Sequence, residues 1–494
     1  MTQERRWLIL ATLCLAVLLV AIDATVLNLA IPEITADLEP TSSQTLWILD
    51  IYSLVLAGLL VSAGTLSDRL GRKRVLLAGC GLFTIASVLA AFAQSAGWLI
   101  AARVLLGIGG ATIMPSTLAL IRNVFEDDRE RRLAIGAWSA MAAAGAAVGP
   151  IIGGALLEHF WWGSVFLMNV PVMLVLLVIG THFLPEIRTS LPGRWDWPSA
   201  VTSFVGLIAL VYSIKHLAAD GFTTVVGGAA LVAVAAVAWF VRRQGRLIAP
   251  LIDIALFKKR SFTGAVLGNL MALLALSGLL LFVSQHLQLV LGYSPLEAGI
   301  RMLPLTAGAL LGAPASAALA ERFGTRAAIS AGLLAAAAGM AAFGIGLDGG
   351  FTALAAALTA VGAGVGVALT ATSDAILSAA PPSRAGAASS ISETAYELGT
   401  GLGIAVFGSF LAAVFAAGLP DLAGVTGAAR ESLTGTLEAS GALPTAAAAA
   451  AAETARTAFT DALSITAFVA SGLLAVAAGV TSILLSRERK PVSG

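Results

Sequence analysis

The chain has 494 residues, of which 58% are hydrophobic and 12% charged, against about 25% charged in a soluble domain. A net charge of +1 implies no nucleic-acid-binding surface, and the two cysteines, Cys14 and Cys80, both lie in apolar runs, which argues against a disulfide framework. The expected class is an all-α membrane protein: runs of about 20 apolar residues suit transmembrane helices, and the period-two alternation of barrel strands is missing.

The opening "MTQERRWLIL" has the charged start of a signal peptide. The apolar run behind it is too long for an h-region and lacks a small-residue cleavage site, so it reads as a retained first membrane helix. The hydropathy pattern predicts fourteen helices, at about 7–30, 46–66, 75–94, 98–121, 132–157, 163–184, 199–219, 223–243, 262–291, 296–320, 326–346, 351–380, 387–416 and 458–486. Short cytoplasmic loops collect Lys and Arg. With both termini cytoplasmic, the inner segments hold Arg5, Arg6, "DRLGRKR", Arg122, "DDRERR", Arg188, Arg194, "VRRQGR", "FKKR", Arg322, Arg326, Arg384 and "RERK". Of 29 basic residues only Arg103 and Arg301, within helices, and Lys215, Arg430 and Arg456, on the outer side, stand apart. An outer loop at about 417–457 carries an alanine run that is a good helix former but too short to span; a surface helical hairpin is expected there.

An internal repeat divides the chain. "GTLSDRLGRKRVLLAG" from Gly64 matches "AALAERFGTRAAISAG" from Ala317, pairing Asp68 with Glu321, Arg69 with Arg322, Gly71 with Gly324, Lys73 with Arg326 and Gly79 with Gly332. Such repeats mark transporters built by duplication. The expected organisation is an N-terminal six-helix half (1–190), two inserted linker helices (191–260) and a C-terminal six-helix half (261–494).

These segments carry a family resemblance. "GTLSDRLGRKR" resembles the signature loop of the major facilitator superfamily. "RVLLGIGGA" from Arg103 and "GAAVGPIIGG" from Gly145 resemble the helix-four and helix-five motifs of its drug:proton antiporters. The fourteen helices, with "LWILDIYSLVLAG", "PSTLALIRNVF", "GPIIGGALLE" and "LFKKRSF", resemble drug:proton antiporter family 2 and its multidrug exporters. The resemblance implies the major facilitator fold and a bacterial cytoplasmic (inner) membrane location. It implies antiport of lipophilic organic cations such as ethidium and quaternary ammonium antiseptics, and antibiotic resistance. The proton-motive force takes the place of any cofactor, and a monomer in the lipid bilayer is expected.

The residues support exchange rather than catalysis. No phosphate-binding loop or nucleophile elbow is present, and His159, His182, His216 and His286 lack metal-ligand spacing. Acids inside the membrane are functional candidates by default. Asp23, in "LLVAIDATVLNLAIP", is the first. A dry setting favours a neutral carboxyl and a nearby cation favours the charged one, so such a group can exchange a proton for a cation. The alternative is a polar group paired with Thr25, Asn28 or a neighbouring helix. Asp50 is a second candidate or an interfacial helix-start acid. Trp47 and Tyr52 beside it suit either a cation–π contact or a membrane-interface position.

Glu393 and Glu397 in "SISETAYELGTG" fall on one face at i, i+4 spacing, where two acids in low dielectric should titrate as a coupled pair. The resemblance matches them to acids of the quaternary-ammonium exporters. Asp374 suits a helix-end role as well as a functional one, and Glu297 with Arg301 suits an interfacial ion pair. Arg103 cannot lose its proton and so requires a carboxylate or carbonyl partner; the resemblance implies a part in proton transfer. Gly145, Gly149 and Gly153 form a flat ridge for helix packing. Beside them Pro150 permits a kink, and the ridge with Gly154 is expected to seal one state against the other half. "GTGLGIAVFG" is a second small-residue stretch. Asp68, Arg69, Gly71 and Arg72, following Gly64, are expected to form a latch. Ala309 stands where some relatives carry an acid, which implies a preference for monovalent cations. A different cargo, such as a self-made antibiotic, a lipid or a siderophore, is the alternative within the same fold; a membrane sensor or scaffold is the alternative outside transport.

Overall fold

The computed structural model describes residues 3–125, 127–186, 195–247, 250–347, 349–379, 385–422, 425, 427–441 and 443–485. Arg188, Arg194, Arg384 and the terminal "RERK" lie outside them. Every regular element among the described residues is helical. The first stretch contains α1 (Gln3–Leu38), α2 (Ser42–Leu70), α3 (Arg72–Ala91), α4 (Ala96–Val124), α5 (Asp128–His159), α6 (Ser164–Leu167) and α7 (Asn169–Phe183). There follow α8 (Trp197–Asp220), α9 (Thr224–Gln244), α10 (Arg260–Gln285), α11 (Pro295–Arg301), α12 (Leu303–Phe323), α13 (Thr325–Gly346) and α14 (Gly350–Ala379). The last are α15 (Ala385–Gly403), α16 (Ser409–Gly418), α17 (Leu433–Gly441) and α18 (Thr445–Leu485). Thirteen spans are long and apolar enough to cross a membrane, and α5, bent by 41° between Ala146 and Val148, makes the fourteenth. Pro150 accounts for the bend: it lacks a donor for the Ala146 carbonyl, and its ring crowds that oxygen.

Local chemistry sets the breaks. Thr41 and Gln44 form a reciprocal capping box at the start of α2, and the Ser95 side chain caps α4. Between α2 and α3 the chain turns at Gly71, with φ 112°, and between α12 and α13 at Gly324, with φ 85°. A side chain would be strained at either position. Each glycine N–H also bonds back four residues, to Ser67 and Ala320. The two copies of the repeat thus share one backbone device.

The chain forms two compact units. Unit 1 comprises Met1–Phe240 with Ser284–Ile300 and Thr426–Ala439; unit 2 comprises Val241–Val283, Arg301–Val425 and Ser440–Gly494. In unit 1, α1 packs on α5, and α4 on both α2 and α3. In unit 2, α14 packs on α12 and α13, and α18 on α13. Small residues permit these close crossings. A Cβ at Gly332 would lie 2.7 Å from the Ala368 nitrogen, and one at Gly79, its repeat partner, would meet Thr112. On α12, Ala309 turns its backbone to Gly362 and Gly366.

One expectation changes. The alanine run does not form a separate hairpin arm: α18 begins at Thr445, directly after Pro444, and runs 41 residues without a break. Nothing between the alanines and Leu485 interrupts a helix, so the last span simply extends beyond its apolar part. "GTGLGIAVFG" contains a π-helical segment, Ile404–Gly408, and a second one, His286–Val290, follows α10. Such bulges leave the regular ladder locally altered.

Candidate functional site

Asp23 lies midway along α1 and is fully buried, as is Asn169 at the start of α7, while Arg103 on α4 is 1% exposed. The Arg103 Nη1 donates to Asp23 Oδ2 at 3.0 Å, and the Asn169 amide donates to Asp23 Oδ1 at 2.8 Å and to the Ser87 hydroxyl. The same guanidinium donates through Nε to the Ile48 carbonyl at 3.1 Å and through Nη2 to that of Leu49 at 3.4 Å. Its plane lies 4.6 Å from the Tyr52 ring centroid. The Arg103 charge therefore has its carboxylate and carbonyl partners. Thr25 and Asn28 are not partners of Asp23 here; their side chains bond backbone carbonyls of α1 itself.

Glycines position this pair. Gly107, one turn beyond Arg103, lets α4 lie against α2, where a Cβ would come 2.7 Å from Val55 Cβ. On α1, Gly145 meets Leu18 and Ala21, Gly149 meets Thr25 and Ile22, and Gly153 meets Val26. The helix-five ridge thus packs on α1 beside Asp23. The reason is register: small residues four apart on α5 match the bulkier positions on one face of α1. Gly154 faces elsewhere, with a would-be Cβ 2.6 Å from Leu296 Cα at the start of α11.

Asp50 is not an interfacial acid. It is fully buried, and Lys215 of α8, 1% exposed, donates to its Oδ1 at 2.9 Å with Nζ 2.8 Å from Oδ2. The Lys215 ammonium also lies 3.8 Å from the Trp47 ring centroid. Trp47 and Tyr52 therefore contact the protein's own cations, and Lys215, counted above among the outer basic residues, is buried in an ion pair. The positive-inside tally missed it because a lone base in "ALVYSIKHL" can reach an acid on a neighbouring helix as readily as a membrane surface. Asn169 gave no signal beyond an amide in an apolar run.

In unit 2, Glu397 on α15 is 8% exposed and Glu393, one turn earlier, is half-buried. Asn269 of α10 donates to Ser392 next to them. Asp374 is exposed near the end of α14, where a helix-end position accounts for it.

The signature loop makes its bonds within unit 1. Arg72 pairs with Asp68 at 2.7 Å and donates to the Ala119 carbonyl of α4. Lys73 donates to the Thr181 carbonyl. Glu186 lies over Gly71 and 3.5 Å from Arg74. Gly64 lies against Pro115, and Arg69, half-buried, precedes the turn. Among the described residues no cluster of His, Cys, Asp and Glu could hold a metal ion.

The family model described as Major Facilitator Superfamily matches residues 13–404. The multidrug efflux pump LfrA of Mycolicibacterium smegmatis is 44% identical over 98% of this chain and 97% of its own. The methyl viologen resistance protein SmvA of Salmonella typhimurium is 39% identical over 85% and 86%. The tetracenomycin C resistance and export protein of Streptomyces glaucescens is 34% identical over 85% and 78%. Among solved structures, a bacterial homologue of the human lysosomal transporter Spinster has a TM-score of 0.68 at 21% identity, covering 100% of both chains, a likeness of fold.

Proposed function

We propose, given that the chain belongs to the Major Facilitator Superfamily, that it is a proton-coupled antiporter exporting lipophilic, mainly monovalent organic cations from the cytoplasm. The protein is a membrane transporter and not an enzyme. Its relatives' names, multidrug efflux and methyl viologen resistance, support the efflux direction and a cationic cargo; the second names a bis-cation, so the monovalent preference rests on this chain's own residues.

The observation that carries the reading is the buried Asp23–Arg103 pair. Intramembrane ions are costly and are kept where charge must be handled, and here a carboxylate is held between a fixed cation and the Asn169 amide. Cation binding beside such a group competes with its proton or its base, which is what exchange requires. No cofactor enters this scheme; the proton-motive force supplies about 1.36 kcal/mol per pH unit and about 2.3 kcal/mol per elementary charge per 100 mV. A monomer in the bacterial cytoplasmic membrane, with both ends inside, completes the proposal.

The test uses proteoliposomes with equal ethidium on both sides and the membrane potential clamped. Ethidium carries a permanent charge, so pH alone cannot trap it. Dye should accumulate on the acidic side, and reversing the gradient should reverse the accumulation; indifference to the gradient counts against the proposal. Cargo valency follows from Ala309, whose backbone packs on α14 with no carboxylate at that position. A bis-cation such as methyl viologen should inhibit ethidium transport only at concentrations well above those of ethidium, and equal potency would refute the preference. The tetracenomycin exporter's similarity favours a second reading, export of an uncharged antibiotic; the same vesicles presented with neutral aromatic cargo distinguish it.

A further inference from the structure

The two buried pairs of unit 1 are joined. Arg103 holds Asp23 and also the carbonyls of Ile48 and Leu49, the two residues that precede Asp50 on α2. Asp50 in turn holds Lys215. Two acids and two bases, each at most 1% exposed, therefore share one dry region, and their charges sum to zero. Each carboxylate has a cationic nitrogen within 3.0 Å, which favours the form that has already given up its proton. A guanidinium does not release one. An organic cation arriving at this network adds a positive charge, which the low-dielectric interior accepts more readily when another positive charge leaves. One side chain of the four can shed a proton: the Lys215 ammonium, since lysine, unlike arginine, gives up its charge readily when buried.

We propose that Lys215, on the inserted helix α8, is the proton-releasing residue of this network, an assignment that rests on the cation-antiport reading above. In the step, an N–H bond of the ammonium breaks and its electron pair stays on Nζ. The proton crosses the 2.9 Å hydrogen bond to Asp50 Oδ1 and passes from there to water on the cytoplasmic side. The amine is left neutral, and the charge of the organic cation replaces the one lost. When the cation departs on the outer side, a proton from that side returns to Nζ by the same carboxyl group, so one cycle moves the cation out and the proton in. The Trp47 face, 3.8 Å from Nζ, stabilises the charged form and returns the site to its resting state. The groups around Lys215 are consistent with this role. Asp50 and Trp47 face it from α2, and Arg103 of α4 bonds the carbonyls of Ile48 and Leu49 just before Asp50. On α8 itself the adjacent His216 is turned to Tyr212, ring centroids 4.1 Å apart.

A merely structural ion pair and a proton donor respond differently to arginine. Lys215→Arg keeps a cation able to bond Asp50 and cannot shed its proton. The full-length protein in weakly buffered detergent solution is mixed with ethidium, and dye binding is recorded together with the signal of a pH indicator. Wild type should release a proton with each dye bound. Lys215→Arg should bind dye more weakly than wild type, and at saturating dye the proton release should be lost. Because arginine is bulkier than lysine, the paired variant Asp50→Asn with Lys215→Met, which leaves two neutral side chains in contact, gives an independent reading, with the same loss expected. Release equal to wild type in either variant overturns the assignment and leaves the antiport reading intact. A folded variant that binds no dye places Lys215 in dye retention, and also overturns it. A wild type that binds ethidium and releases no proton contradicts the antiport reading and this assignment together.

Discussion

Asp23→Asn is expected to reduce gradient-driven ethidium accumulation in proteoliposomes to the level of protein-free vesicles. Asparagine keeps the shape of the side chain and can still accept a bond from Arg103 or Asn169, but it neither ionises nor takes a proton. The Arg103 guanidinium keeps the Ile48 and Leu49 carbonyls and is left with its charge unmatched in a fully buried position. Any organic cation then meets a net positive site. Binding should weaken along with coupling, so the comparison is made at saturating dye and with the reconstituted amount verified. If Asp23→Asn accumulates dye as wild type does, Asp23 has no part in the exchange, which then rests on Asp50 with Lys215 alone or on Glu393 and Glu397 in unit 2.

Arg103→Met is expected to produce the largest loss of stability. The substitution strands the Asp23 carboxylate, 0% exposed, with the Asn169 amide as its remaining donor from another helix. Removing one partner of a buried ion pair costs about 3–5 kcal/mol, whereas replacing both partners by apolar groups is often near neutral. The double variant Asp23→Leu with Arg103→Met should therefore recover most of the loss, a coupling that a double-mutant cycle reads directly. Thermal unfolding of the purified proteins in one detergent measures it. Equal melting of Arg103→Met and wild type would mean that the pair is not formed in the resting protein. The double variant should be stable yet inactive, which separates the structural part of the pair from its part in transport.

The spans were legible because each needs only a long apolar run, and the repeat because a turn with positive φ requires glycine at Gly71 and Gly324. The need of Arg103 for a partner followed from its fixed charge; which partner it takes did not, since Asp23, Asp50 and several carbonyls were all open to it. The glycines of α5 announced a close crossing without saying which helix it would involve, because a ridge of small residues carries no address. The partner of Lys215 went unseen for a related reason. Counting charges by loop treats a base near a helix end as an anchor, and pairing across helices depends on depth and rotation that one strand of sequence does not encode. The extension of α18 was hidden by the habit of ending a helix where hydropathy falls, although alanine continues a helix well past the membrane.

The central claim is that dye and protons move in opposite directions through one protein. Simultaneous recording of ethidium and luminal pH in the same proteoliposomes tests it, with no imposed pH gradient and a dye gradient as the driving force. Dye leaving the lumen should acidify it, at a rate that follows dye flux and vanishes in Asp23→Asn. Dye leaving at the wild-type rate with luminal pH unchanged would contradict proton-coupled exchange.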